Sequence, residues 1–519
     1  MAKQTFIKGT MILIFAGLIV KILGFINKII VVRIIGEVGY GLFTMAFPTL
    51  LLTVTLTQLG LPVAISKMVS EAESLGDREK IKRILVISLT TTGILSIVFT
   101  TAMVLLVPPL AHIIFTDDRV MYPLLAISPI VPIVALSSVI RGYFQGRQRM
   151  GAIGISQIIE QVVRVSFSAL LATALLPYGV AAAAAGAIIA NVLGELGSLL
   201  YMFTTFKMSK KMKIRKGFWG YVKGGRKTFN DLMQVALPAT GSRLIGSLTY
   251  FFEPIVIARS LAIAGVSTTL ATKMYGELAG LALAFLTLPS FITYSLSVSL
   301  VPTISEAAAQ NRYDIIQYRL HQAMKISMIT GGLAVVVTYV FATPLMKIMY
   351  GAPHVAVYVK LMAPFFFIFY FQPPLQATLQ ALNHARAAMM NTIFGAAMKI
   401  TVIFVFASQF GIIGAALGYV VNVVLVTMLH FATVVKSMGF TLVLRDYGKG
   451  LLCITATALF ASILQAHALQ TVALLPKTCL MILAVVLFYF ILVVTSGLIK
   501  GEEVAQIPFI GKWGLKWLK

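Results

Sequence analysis

KMSKKMKIRKGFWGYVKGGRK, residues 207–227, carries nine lysines and arginines and no acid, and it divides the chain in two. A helix that crosses a bilayer needs about 20 mostly apolar residues. Before this stretch six such runs occur, at 10–34, 39–65, 84–107, 121–142, 152–176 and 179–205. After it eight occur, at 231–259, 267–297, 322–345, 355–381, 388–408, 411–435, 447–466 and 472–498. The whole chain of 519 residues is 59% hydrophobic and 11% charged, where soluble domains are about 25% charged. The net charge of +25 does not point to nucleic acid. The basic residues occupy short loops between apolar runs, not one soluble face. The N-terminus begins like a signal, but the apolar run continues past Lys21 with no small-residue cleavage site, so it reads as a retained first helix.

Basic residues collect on the cytoplasmic side of membrane helices. With the N-terminus inside, thirty of the 42 lysines and arginines fall in inside segments, six fall outside and six lie within spans. Dropping one span inverts every later loop and spoils the split. The expected fold is therefore an all-α membrane protein of about 14 transmembrane helices, N-in and C-in.

The two sides of the basic stretch look alike. LPVAISKMVSEAESLGDREKIKR (61–83) resembles LVPTISEAAAQNRYDIIQYR (300–319), with Ser66 matching Ser305 and Asp77 matching Asp314, an offset of about 238. A second match pairs Arg141–Arg164 with Thr378–Ile400. Repeats of six helices enter from the same side and place substrate sites near the midplane. The expected organisation is a six-helix lobe at 1–206, a basic cytoplasmic linker at 207–229, a second lobe at 230–436, two extra helices at 437–499 and a basic tail at 500–519.

Ionisable residues inside a span are costly, at least about 2.5–3.5 kcal/mol at the centre, and mark functional sites. Six are basic: Lys21, Lys28, Arg164, Arg243, Lys273 and Lys399. Four are acidic: Glu160, Glu195, Glu253 and Glu277. Gly17, Lys21, Gly24 and Lys28 form one helical stripe, small and cationic. Arg243 shares a face with Glu253, and Lys273 with Glu277. Glu160 and Arg164 lie one turn apart, either as a structural ion pair or as a charge relay with Glu253 and Glu277. The balance leaves a net-positive interior, which attracts a phosphate or carboxylate and repels lipophilic cations.

Catalytic and cofactor signatures do not emerge. Gly220–Thr228 has one residue too many for a phosphate-binding loop and no preceding strand. It reads as a basic loop attractive to anionic lipids. The six histidines show no metal-ligand spacing, and Cys453 and Cys479 make no disulfide framework. No metal, cofactor or catalytic residue is expected.

The segments KILGFINKIIVVRIIGEVGYGLFTMAFP (21–48), LGLPVAISK and LPSFITYSLSVSLVPTISEA (288–307) resemble the polysaccharide and lipid II flippase branches of the multidrug/oligosaccharidyl-lipid/polysaccharide exporter superfamily. The resemblance implies that cations on helices 1 and 8 hold a pyrophosphate. The matching helix 1 positions are Lys21 and Asn27, with Lys28 beside it. On helix 8 the family's arginine position holds Gly276 or Glu277, and the cation is Lys273. Lysine is a point charge without arginine's two-pronged geometry.

Three functions follow for testing. The first is a flippase for an undecaprenyl-pyrophosphate-linked saccharide (by resemblance, lipid II or a spore-cortex precursor). It would bind through Lys21, Asn27, Lys28, Arg243 and Lys273, with Na⁺ or H⁺ as optional coupling ions and cell-wall synthesis proteins as candidate partners. The second is a cation-coupled multidrug exporter of the same fold, resting on Glu195 as the acid without a basic neighbour. The third is a membrane glycosyltransferase, which the short, acid-poor outside loops disfavour.

Overall fold

The computed structural model describes residues 2–113, 115–208, 218–467 and 473–498. The core of the basic linker (209–217) and the C-terminal tail lie outside the described residues. Among the described residues every regular element is helical.

The chain forms two compact units. The first comprises 1–280 with 407–412. Its helices are α1 (Ala2–Gln58), α2 (Leu61–Ser74), α3 (Arg78–Ile113), α4 (Met121–Ile127), α5 (Ile130–Gly146), α6 (Met150–Leu175), α7 (Val180–Met208), α8 (Phe218–Lys223), α9 (Arg226–Ile263) and α10 (Thr268–Tyr275). α10 runs on into a π-helical segment, Gly276–Ala282. Here α7 packs along α6, α6 along α1, and α5 against α2. Leu61, Ile65, Ile84, Tyr143 and Phe144 are buried in one of its apolar clusters.

The second unit comprises 281–406 and 413–519. Its helices are α11 (Leu283–Thr287), α12 (Ser290–Ala309), α13 (Tyr313–Val340), α14 (Ala342–Tyr350), α15 (Ala356–Phe369), α16 (Gln372–Ala381), α17 (Ala385–Phe410), α18 (Ile412–Met438), α19 (Leu444–Ala466) and α20 (Leu474–Thr495). α19 lies along α13 and against α20. Small residues let these helices close up: Gly332 meets Ile454, and Gly450 meets Met328.

Among the described residues eleven helices are long and apolar enough to cross a membrane, or twelve if Thr268–Thr287 and Ser290–Ala309 count as one bent span. These correspond to the third to fourteenth runs read from the sequence. The first two runs fall largely within α1, which breaks at Gly36 (φ 68°, ψ −178°), a conformation open in practice only to glycine. Two expected spans prove to be broken. The run 39–65 stops at Leu59 and Gly60, both with positive φ. The run 267–297 bends by 57° around Leu288–Pro289. In both, a proline opens the following helix, where its missing N–H costs nothing.

The internal repeat is visible in the backbone. Gly76 and Asn311 are left-handed, as are Gln148 and Asn383, and both pairs are 235 residues apart (311 − 76 and 383 − 148). Each ends a helix with the same long bond: Asp77 N to Ala72 O and Arg312 N to Ala307 O, then Arg149 N to Phe144 O and His384 N to Leu379 O. That is the Schellman pattern. The true offset is thus 235 rather than about 238, and Asp77 falls opposite Arg312, two residues before Asp314.

Candidate functional site

All the cations and acids proposed from the sequence for binding and relay lie in the first unit. Lys28, on α1, is partly buried. Its Nζ donates to Gly280 O at 2.8 Å and lies 5.9 Å from the centre of the Tyr40 ring. Gly280 belongs to the π-helical segment, a wide turn frequent at functional sites. A side chain on Gly280 would strike Tyr40 and Thr44, so glycine is what admits the ring. Asn27 is buried, and its Oδ1 has no hydrogen-bond donor among the described residues. Lys21, one turn before Gly24, is exposed. Gly24 itself lies against Gln161 of α6.

Lys273 is engaged by carboxylates. Its Nζ is 2.8 Å from Glu37 Oε2 and 3.8 Å from Glu277 Oε1. Glu37 follows the break at Gly36, and a glycine crossing holds it there. A Cβ on Gly276 would come within 2.6 Å of the Cα of Gly41, so the two backbones pack closely. Arg243, on α9, is exposed. Among the described residues neither Arg243 nor Lys28 has an ion pair. Glu253 is buried, and nearby Ser247 bonds Thr55 across α9 and α1 at 2.8 Å.

Glu160 and Arg164 pair directly on α6. Glu195 of α7 is 3.6 Å from Arg141 of α5, which corrects two readings of the sequence. Glu195 does have a basic neighbour, and Arg141 is a helix residue that turns toward it rather than a loop charge.

A profile described as "Polysaccharide biosynthesis protein" matches residues 6–308, and one described as "MatE" matches 261–405. The chain is 52% identical over 514 residues to the Bacillus subtilis (strain 168) protein "Stage V sporulation protein B", covering 99% of each. The chain belongs to the polysaccharide biosynthesis protein family. Two solved structures share its fold. One is a lipid II flippase MurJ in an inward closed conformation, with TM-score 0.70, 15% identity and 92% of this chain against 97% of that one. The other is an inward-facing multidrug resistance MATE family transporter of the MOP superfamily, with TM-score 0.65, 16% identity and 84% against 95%. This member of the polysaccharide biosynthesis protein family is a multi-pass membrane protein.

The structure therefore joins helix 1 to the helix 8 segment through Lys28, and ties Lys273 to its acids. Lys21 and Arg243 are exposed on α1 and α9. Three participants escaped the sequence reading. Glu37 stood in a turn, Arg141 at a helix end, and Asp117 in an outside loop. Asp117 is 4% exposed. It accepts bonds from Arg119 Nε at 2.9 Å and from Thr272 Oγ1 at 2.8 Å, next to Lys273. Burial works to raise the Asp117 carboxyl, but bonds from the Arg119 side chain, Thr272 and the Arg119 backbone hold it below the usual range. A depressed carboxyl stabilises above its unfolded pKa, and that stability disappears as pH falls through the folded value. Asp117→Asn should lower stability by roughly 2 kcal/mol at neutral pH. The deficit against wild type should stay constant above about pH 5 and shrink below about pH 3.9. Thermal unfolding of both proteins across this range measures it; a deficit that grows as pH falls would refute the assignment.

Proposed function

We propose that this protein flips an undecaprenyl-pyrophosphate-linked saccharide, lipid II or a spore-cortex peptidoglycan precursor, across the cytoplasmic membrane by alternating access. The proposed topology has fourteen spans with both termini inside, arranged as two six-helix lobes and two added helices. The observation that carries the reading is Lys28. It is a cation within a span whose partners are a carbonyl and an aromatic ring, with no carboxylate among the described residues. Neutral partners leave its charge uncompensated and attractive to an anion. Arg243 adds a second such charge, and Asn27 offers a buried acceptor for a head-group hydroxyl. Lys21 extends the stripe, while Lys273 joins when Glu37 and Glu277 release it. Glu253 and Glu277 are the proposed relay, with Glu160 and Arg164.

The lipid tail has a candidate berth in the second unit. Met324, Met328, Phe371, Phe431, Tyr447 and Leu451 line an apolar pocket of about 250 Å³, walled on one side by α19. The multidrug-exporter reading is weaker, because Glu195 is paired with Arg141. An inside-negative potential favours outward movement of an anion by about 2.3 kcal/mol per charge per 100 mV, so ATP is not required. Purified protein in liposomes with lipid II should move the head group to the far leaflet, faster with the potential. Lys28→Ala should slow it at least about tenfold, the low end of a charge-assisted bond. No movement in folded protein, or wild-type rates in Lys28→Ala, would reject the mechanism.

A further inference from the structure

We propose that Asp117 and Arg119 are positioning residues for the cation on α10. They hold Lys273 in its pair with Glu37, and letting go of α10 is what makes that cation available to an anionic head group. They flank the start of a short 3₁₀ turn, Asp118–Val120, between α3 and α4. Asp117 Oδ1 accepts from Arg119 Nε at 2.9 Å, and Oδ2 accepts from Arg119 Nη2 at 2.8 Å. Such a two-pronged pair is strong and fixed in direction. The same Oδ2 accepts from Thr272 Oγ1 at 2.8 Å, and Arg119 Nη2 reaches Thr269 Oγ1 at 3.2 Å. Residues three apart share a helix face, so α10 is pinned at two points, one turn apart, directly before Lys273. From the side of α1, Gly41 packs on Thr272 O, and Glu37 takes Lys273 Nζ at 2.8 Å. A slip of α10 by one residue would swing Lys273 by about 100° away from Glu37.

The repeat shows that the turn itself does not need these side chains. At the 235-residue offset Asp117 and Arg119 fall opposite Ala352 and His354. There Pro353–Val355 makes the same 3₁₀ turn. The residue before it has φ −119° at Asp117 and −118° at Ala352. Val120 N bonds Asp117 O at 3.1 Å, and Val355 N bonds Ala352 O at 3.2 Å. A helix follows at once in both copies, α4 from Met121 and α15 from Ala356. Alanine therefore closes the turn as aspartate does. Burying a carboxylate is costly, and what the charge at Asp117 adds is its grip on Arg119 and, across the gap, on Thr272. The consequence has a sign. Lys273 against Glu37 is a neutralised cation, whereas Lys273 set loose is a point charge that attracts an anion. Loss of the grip should therefore raise anion affinity, where mere damage to the fold would lower it.

The bearing on the head group rests on the flippase reading, whereas the hold on Lys273 does not. Amine acylation of the substrate-free protein in lipid, followed peptide by peptide by mass spectrometry, tests the hold alone, with the exposed Lys207 as internal reference. Thr272→Val removes the hydroxyl but leaves Asp117 paired with Arg119. It should speed labelling of Lys273 roughly three- to tenfold, the weight of one hydrogen bond, while Thr272→Ser should keep the wild-type rate. Thr269→Val, at an exposed position, removes the outer bond alone and should give roughly a twofold rise. Thermal unfolding confirms each fold, and Thr269→Val decides if Thr272→Val does not fold. A wild-type labelling rate in the deciding variant overturns the proposal, as does Thr272→Ser labelled as fast as Thr272→Val. Binding of inorganic pyrophosphate tests the second part. Thr272→Val should bind it several-fold more tightly than wild type, and adding Lys273→Ala should remove the gain. Faster labelling without tighter binding rejects the role toward the anion and leaves the hold standing. Equal pyrophosphate binding by wild type and Lys28→Ala would instead count against the flippase reading.

Discussion

Gly276→Val should prevent the first unit from folding, or lower its thermal midpoint far more than a change at a glycine that faces open space. A Cβ at Gly276 would lie 2.6 Å from Gly41 Cα and 2.7 Å from Gly41 N, and one at Gly41 would lie 2.2 Å from Thr272 O. All three obstacles are backbone atoms, so no rotamer change relieves them. Overpacking against movable side chains already costs about 1–3 kcal/mol, and a clash with a helix backbone should exceed that. The displacement would also pull Glu37 off Lys273 and open the α1–α10 contact. Gly93→Ala is the control. It lies in the middle of α3 with nothing within 4 Å, and should be neutral or stabilising by up to about 1 kcal/mol. Thermal unfolding in lipid or detergent measures both, and equal midpoints for the two would show that the crossing is looser than described.

Arg164→Ala is the second large effect expected. Removing one partner of a buried pair typically costs about 3–5 kcal/mol, because the charge left behind has no compensation. Both side chains are partly accessible, at 21% and 15%, so the lower end of that range applies. Replacing Arg164 and Glu160 together by leucine should recover much of the loss, since apolar pairs of similar volume often replace buried ion pairs without penalty. The second repeat, with Gly395 and Lys399 in these places, already folds without such a pair. A double variant as unstable as the single one would mean that the destabilisation comes from packing and not from the lone Glu160 charge.

Much of the fold was legible because the bilayer imposes length and composition on each span. Loop charge, apolar run length and the basic stretch at 207–227 were enough to delimit the helices that the structure describes from α3 onward. The breaks were less legible. Gly60 and Pro289 interrupt runs whose hydropathy never falls, and hydropathy carries no backbone angle. The repeat was found from side-chain identities, which drift, and its register was corrected by left-handed turns, which do not. Within the candidate site the one-turn pairs, Lys273 with Glu277 and Arg164 with Glu160, followed from helical spacing alone. Contacts across helices did not. Glu37, Asp117 and Arg141 looked like loop or end residues, and only tertiary packing sets Glu37 against Lys273 or Arg141 against Glu195. The bond from Lys28 to Gly280 O depends on a π turn that no periodicity announces.

The central claim is the sign of the transport site: a span-embedded lysine held by neutral groups prefers an anion. Binding measured on one preparation of wild type and Lys28→Ala, with a polyprenyl-pyrophosphate saccharide and with a lipophilic drug cation, tests this most directly. The account predicts that wild type binds the pyrophosphate lipid more tightly than the cation, and that Lys28→Ala loses about tenfold or more for the anion alone. Tighter binding of the cation by wild type, or equal losses for both ligands in the variant, would contradict it.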